Sequence, residues 1–169
     1  MKIIFVDAYN VINAWPNLRS IKDYSYESAR QELINILQNY ATYKECKIFI
    51  VFDAHKVQGN FGKKEKLGNT VIIFTKEGET ADSFIEKTID NIGKKVDVCV
   101  VTSDSLEQQV AFQRGATRMS SIEFYFEVEE VHDKIQQKSE KNLPEQRSLL
   151  EDRIQQNVLE KLEKIRRSH

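Results

Sequence analysis

The chain has 169 residues, the length of one ordinary domain, which excludes a large multidomain machine. Apolar residues make up 40% and charged residues 30%, with Gly 6 and Pro 2, so the chain is neither low-complexity nor too polar to bury a core. Lys plus Arg number 25 against 26 Asp plus Glu, a net charge of −1, and any polyanion has to be met by a local basic patch rather than by the whole molecule.

The N-terminal stretch MKIIFVDAYN holds only a short apolar run before Asp7. No window approaches the ~20 apolar residues that span a bilayer, so neither an export signal nor a membrane anchor is expected. Cys46 and Cys99 form no CxxC pair, which fits a reduced, cytoplasmic chain.

Four short runs, Ile3–Val6, Ile48–Phe52, Val71–Phe74 and Val96–Val101, are β-branched or aromatic and nearly continuous. Strands buried on both faces of a parallel sheet read this way. Between them, residues 26–43 carry Leu33, Ile34, Leu37 and Tyr40 at helical spacing, and residues 80–92 carry Ala81, Phe84, Ile85, Ile89 and Ile92. Ser105-x-x-Gln108 has the spacing of a capping box for a helix over 105–114 that stops before Gly115, the usual left-handed cap. Ser120-x-x-Glu123 opens another helix through Phe124, Phe126, Val128 and Val131 towards Gln137. Alternating strands and helices predict an α/β architecture, a central parallel sheet flanked by helices over residues 1–137.

After Lys138 the chain turns polar, and a last helix carries Leu150, Ile154, Val158, Leu162 and Ile165 along one stripe. Residues 138–169 therefore read as a linker and a C-terminal amphipathic helix. Its apolar face is expected to pack on the domain; the alternative is a docking helix with the basic end Lys161, Lys164, Arg166 and Arg167.

What ends the apolar runs is more telling. The first ends in Val6-Asp7, the second in Phe52-Asp53 and the fourth in Val101-Thr102-Ser103-Asp104. In an open parallel sheet these acids emerge on the one edge where such sheets bind ligands. Asp82, in the first turn of the helix after the third run with Thr80 as its cap, lies near the same edge. Any one of these acids could simply cap a helix and complement its dipole. The set is harder to explain that way. Unit charges ~5 Å apart repel by roughly 3 kcal/mol at an effective dielectric near 20, so three close carboxylates cost on the order of 10 kcal/mol. A whole domain is stable by only about 5–15 kcal/mol. Such a cluster must protonate or hold a cation, and an all-oxygen set without His or Cys ligand spacing suits Mg²⁺ or Mn²⁺ and argues against zinc.

A hard divalent ion with open positions is the arrangement that hydrolyses phosphate esters. The stretch His55 to Gly68, with Lys56, Lys63, Lys64 and Lys66, follows Asp53 directly and reads as a basic loop over the acidic edge, or as a solvated hairpin without a ligand. Residues Trp15 to Tyr26 mix aromatics with Arg19 and Lys22; they either stack on unpaired bases or pack against the sheet. Asn10 is placed to orient a metal-bound water or a substrate phosphate, or to cap a helix, and Ser103 to support Asp104 or to cap the next helix. His55, His132 and His169 lack the partners of nucleophilic catalysis.

Taken together, VDAYNVI at 6–12, VFDAH at 51–55, ETAD at 79–82, VTSDSLEQ at 101–108 and GATRMSS at 115–121 resemble the NYN branch of the PIN-like nucleases. More closely, they resemble its YacP family of ribosome-associated endoribonucleases. The resemblance implies a three-layer PIN-like fold and metal-dependent cleavage of single-stranded RNA. It implies an acidic metal-binding core of Asp7, Asp82 and Asp104, with Asn10, Asp53 and Ser103 around it. It also implies messenger RNA as substrate and the ribosome as partner, with cutting at the decoding site during translation. Lys56, Lys63, Lys64, Lys66 and Arg19 would hold the strand through its phosphates, and neither a membrane nor a small-molecule cofactor is expected. Where many PIN-like enzymes carry a further acid after the equivalent of Asp104, this chain has Ser105 and Leu106, with Glu107 the nearest substitute.

Two other readings compete. A non-catalytic adaptor would use the same edge to bind RNA or a ribosomal surface. A signalling receiver domain also sets acids at strand ends, but it needs paired acids near Asp7 and a later lysine; this chain has Asp7-Ala8-Tyr9-Asn10 and no clear lysine.

Overall fold

The four apolar runs form β1 (Lys2–Asp7), β2 (Lys47–Phe52), β4 (Thr70–Phe74) and β5 (Asp97–Val101) of a computed structural model. The structure describes residues 1–54, 61–93, 96–105, 108–109, 115–141, 160–161, 164 and 166. Two short edge strands complete the sheet, β3 (Lys64–Leu67) and β6 (Thr117–Met119), in the order β3-β4-β2-β1-β5-β6. Five strands are parallel; β3 runs antiparallel to β4. The sheet is therefore mixed, and the basic stretch expected as a loop ends as the first arm of a hairpin. Gly68, at φ +56°, supplies the left-handed turn between β3 and β4. Residues 55–60, including His55 and Lys56, lie outside the described residues.

Among the described residues, five helices with defined bounds flank the sheet: α1 (Ala8–Ala14), α2 (Pro16–Lys22), α3 (Tyr26–Lys44), α4 (Ala81–Ile92) and α5 (Ser121–Lys141). Caps fix where several begin. The Ser25 hydroxyl accepts the Ser28 N–H at 3.2 Å, Thr80 the Ser83 N–H at 3.1 Å and Ser120 the Glu123 N–H at 3.1 Å. At the predicted 105–114 helix only Ser105, Gln108 and Gln109 are described, all helical. Ser105 is already inside the helix, and the Gln108 amide turns back to the Thr102 carbonyl at 2.6 Å instead of completing a capping box. Gly115 has the expected left-handed φ of 85°.

The sheet is buried on both faces, as continuous apolar strands require. Phe5, Phe49, Val51, Val71, Ile73, Val98 and Val100 pack with Ala81, Ile85 and Ile89 of α4. On the opposite face, Tyr40 of α3 meets Phe124 of α5 edge to face at 5.3 Å, and its hydroxyl donates to Glu127 Oε1 at 2.8 Å. Phe124, Val128 and Val131 are buried, whereas Phe126, two positions off that stripe, is 65% exposed. Cys46 and Cys99 are unpaired and buried. The chain divides into two compact units, 1–132 and 133–169, and the sheet belongs to the first. In the C-terminal segment only Glu160, Lys161, Lys164 and Arg166 are described beyond α5, all helical; its apolar stripe lies outside the described residues. Among the described residues no helix is long and apolar enough to cross a membrane.

Candidate active site

The strand order puts a topological switch at the centre of the sheet. From β1 the chain moves to β2 and β4 on one side; from β5 it moves to β6 on the other. The crevice outside the carboxyl ends of two such strands is where open α/β sheets bind ligands. Asp7 closes β1, and Ser103 and Asp104 follow β5, whose Val101 pairs with Val6. Asp53 follows Phe52 one strand away, where Val51 pairs with Asp7. Asp82 sits in the first turn of α4.

Buried hydroxyls hold the backbone around these acids. Thr102 is fully buried; its hydroxyl accepts the Asp104 N–H at 3.1 Å, and its own N–H donates to the Met119 carbonyl at 3.0 Å. Thr75, also buried, accepts the Ala54 N–H at 3.0 Å and donates its own N–H to the Phe52 carbonyl at 3.1 Å, which brackets Asp53. Asp7 has an N-cap conformation, and its carboxylate accepts the Asn10 N–H at 3.4 Å. The cap and the site share this residue.

Asn10 ties three elements together. Its side-chain oxygen accepts the Ser103 N–H at 2.8 Å and the Ser121 hydroxyl at 2.7 Å. Because one donor is a backbone N–H, that atom is the oxygen, both of its lone pairs are engaged, and the amide nitrogen is what remains to meet a ligand. Ser121 is fully buried at the start of α5; its N–H donates to the Ser103 hydroxyl at 3.3 Å, and its carbonyl accepts the Trp15 indole N–H at 2.8 Å. Ser103 thus serves the frame with both backbone and side chain.

Asp7, Asp53, Asp82 and Asp104 line one pocket of about 270 Å³, together with Tyr9, Asn10, Asn13 and Thr80. The donors are all oxygen, which suits a hard cation in kind. Among the described residues, however, no three His, Cys, Asp or Glu side chains stand close enough together to hold an ion. The carboxylates line the pocket without forming a closed cluster. Tyr9 stacks on Tyr26, centroids 5.0 Å apart, and the Arg30 guanidinium lies 5.7 Å from the Tyr26 ring centre. Burial raises both phenols above their ordinary pKa, and the charges of Asp53 at Tyr9 and Asp7 at Tyr26 add to it.

Of the basic residues, Lys63 and Lys64 stand at the end of β3 that meets the acidic edge, since Lys64 pairs with Ile73 near the carboxyl end of β4. Lys66, opposite Val71, is further down the strand. All three are exposed, as is Arg19 on α2. The segment between α1 and α3 packs in part: Trp15 is 1% exposed, whereas Tyr24 is 78% exposed.

Residues 4–167 match the YacP-like NYN domain family. The chain belongs to that family. It is 39% identical over 170 residues to the YacP protein of Bacillus subtilis, covering 99% of this chain and 98% of that protein. The crystal structure of Rae1 (YacP) from Bacillus subtilis superposes with a TM-score of 0.77 at 39% identity, over 99% of this chain and 95% of that one. A substituted form of the same protein gives 0.73 at 37% identity, over 84% and 83%. The PIN-like α/β fold follows from this relationship as well as from the sheet order.

Within this YacP-like domain, sequence reasoning passed over Tyr9, Asn13, Thr75, Thr102 and Ser121. The hydroxyls at 75 and 102 carry a usable signal, a lone threonine directly after an apolar run. Ser121 carries none, because it acts on Asn10 across 111 positions of chain. Glu107 lies outside the described residues.

Proposed function

We propose that this YacP-like chain is an endoribonuclease that hydrolyses RNA phosphodiesters at the pocket of Asp7, Asp53, Asp82 and Asp104, acting on messenger RNA at the ribosome in the cytoplasm. The observation that carries the reading is four carboxylates in one pocket at the switch point of the sheet, within a PIN-like domain.

Asp7, Asp82 and Asp104 line the pocket and would have to draw closer together to hold Mg²⁺ or Mn²⁺. Such an ion, when bound, lowers the pKa of a coordinated water and offsets charge on the phosphate oxygens. The chain's own groups set the geometry. Asn10, its oxygen occupied, offers N–H donors to a phosphate oxygen. Tyr9, stacked on Tyr26, lines the same pocket as Asp7 and Asp53 and adds an aromatic group that a base could meet. Lys63, Lys64, Lys66, Lys56 and Arg19 supply sequence-independent phosphate contacts, so selection of the cut site falls to whatever presents the strand.

The test is cleavage of a translated messenger in the presence of Mg²⁺, with and without ribosomes. Asp7→Asn and Asp104→Asn are expected to lower cleavage by about a hundredfold or more while circular dichroism stays unchanged. Full activity in both variants overturns the assignment. A wild-type chain that co-sediments with ribosomes but never cuts supports the adaptor reading, which the open spacing of the carboxylates favours.

A further inference from the structure

A second cavity, of about 320 Å³, opens on the α3 face of the sheet beside the acidic pocket, a volume at the lower end of small-molecule sites, about 300–1,000 Å³. Phe74, half-buried and stacked on the fully buried Phe52 with centroids 5.2 Å apart, gives it an aromatic floor. Arg30 and Gln31 from α3 line it on one side, with Glu27 and, from β3, Glu65. Its relation to the acidic pocket is direct. Phe52 lines this cavity and the next residue, Asp53, lines the other. The stack of Tyr9, Tyr26 and Arg30 runs from the acidic pocket, which Tyr9 lines, to the second cavity, which Arg30 lines. Neighbouring strands lie about 4.8 Å apart, so β1 and β4, two strands apart in the sheet, set the two sites within reach of adjacent nucleotides of one strand.

The lining selects among ligands. Two carboxylates against one guanidinium repel a phosphate. A purely apolar ligand would leave the polar rim without partners, at a cost. Among the described residues Arg30 pairs with neither Glu27 nor Glu65; its guanidinium goes to the Tyr26 ring. Gln31 gives one amide N–H to Asn35 Oδ1 at 3.2 Å and keeps the other, so donors and acceptors remain on the rim. A planar base suits the aromatic floor, a carboxylate accepts from an exocyclic amine, and Arg and Gln donate to ring nitrogens and carbonyls. We infer that this cavity receives an unpaired nucleobase bearing an exocyclic amino group, adenine, cytosine or guanine but not uracil, from the strand whose phosphate lies at the acidic pocket. Uracil presents a carbonyl oxygen where the amine would be, against the two glutamates. The inference rests on the reading that the chain acts on RNA.

The test needs no cleavage. In the full chain labelled at isoleucine methyls, Ile34 and Ile72 report the cavity, while Ile85 and Ile89 of α4, packed on the opposite face of the sheet, serve as controls. Adenosine and cytidine 5′-monophosphate are expected to shift Ile34 and Ile72 and leave the controls in place, with uridine 5′-monophosphate binding about tenfold more weakly. Glutamine accepts or donates, so combining Glu27→Gln with Glu65→Gln should bring the three nucleotides within about twofold of one another. Both positions are exposed, so the double variant keeps the fold. Silent Ile34 and Ile72 methyls, equal binding of uridine monophosphate, or discrimination that survives the double variant each overturn the inference. RNA cleavage is scored separately: cutting with a silent cavity removes only this inference, and base discrimination without cutting removes only the nuclease reading.

Discussion

Asn10 shows how a site residue is committed by its neighbours before any ligand arrives. With its oxygen held by Ser103 and Ser121, it presents only N–H donors, so it suits an anion and is barred from ligating a metal. Ser121→Ala removes one of the two holds and leaves the backbone bonds of Ser121 to Ser103 and Trp15 intact. The lost bond is expected to cost about 1 kcal/mol of stability, and the loosened amide should lower kcat about tenfold with KM little changed. Ser121→Thr, which keeps the hydroxyl, should restore most of it. A parallel fall in kcat and in folded fraction, unrescued by threonine, would make Ser121 merely structural. The acids were legible because each directly ends an apolar run or opens a helix. Ser121 and Asn13 were not, because what they touch is decided by tertiary contact and not by local pattern.

At the level of elements, the four buried strands were readable because burial on both faces leaves an unbroken apolar run. β3, with the sequence KEKL, and β6, with TRM, are edge strands with polar side chains, defined by their partners rather than by their own composition. α1 and α2, of 7 residues each, are too short to show a helical period. The consequence for β3 is functional: its antiparallel direction carries Lys63 and Lys64 to the acidic edge and Lys66 away from it. If the strand of RNA passes over that end, replacing Lys63 and Lys64 by Ala should flatten the dependence of log affinity on log salt by roughly 1.4, about 0.7 for each single-strand phosphate contact. Lys66→Ala should change it less. Binding isotherms at several salt concentrations decide this, and equal slopes for all three lysines would place the strand elsewhere.

For the molecule as a whole, five buried or half-buried groups with displaced pKa values give one pH dependence of stability. The phenols of Tyr9, Tyr26 and Tyr40 and the thiols of Cys46 and Cys99 are all held above their ordinary pKa values, burial being the largest cause in each. In the unfolded chain such groups release protons near pH 8.5 for thiols and about 10 for phenols, while the folded chain retains them. Above about pH 9 the unfolded state therefore binds fewer protons than the folded one, and stability must fall as pH rises. Well below that range all five groups are protonated in both states and contribute no slope. Urea midpoints measured between about pH 8 and 11 should decline steadily. Tyr40→Phe isolates one contributor. It loses the bond to Glu127, which costs about 1 kcal/mol or more near neutrality, but it also removes one proton held only in the fold, so its decline with pH should be shallower than that of the parent chain. Parallel curves for the two proteins would mean that Tyr40 ionises as readily inside the fold as outside it, and that its burial against α5 is not what resists alkali.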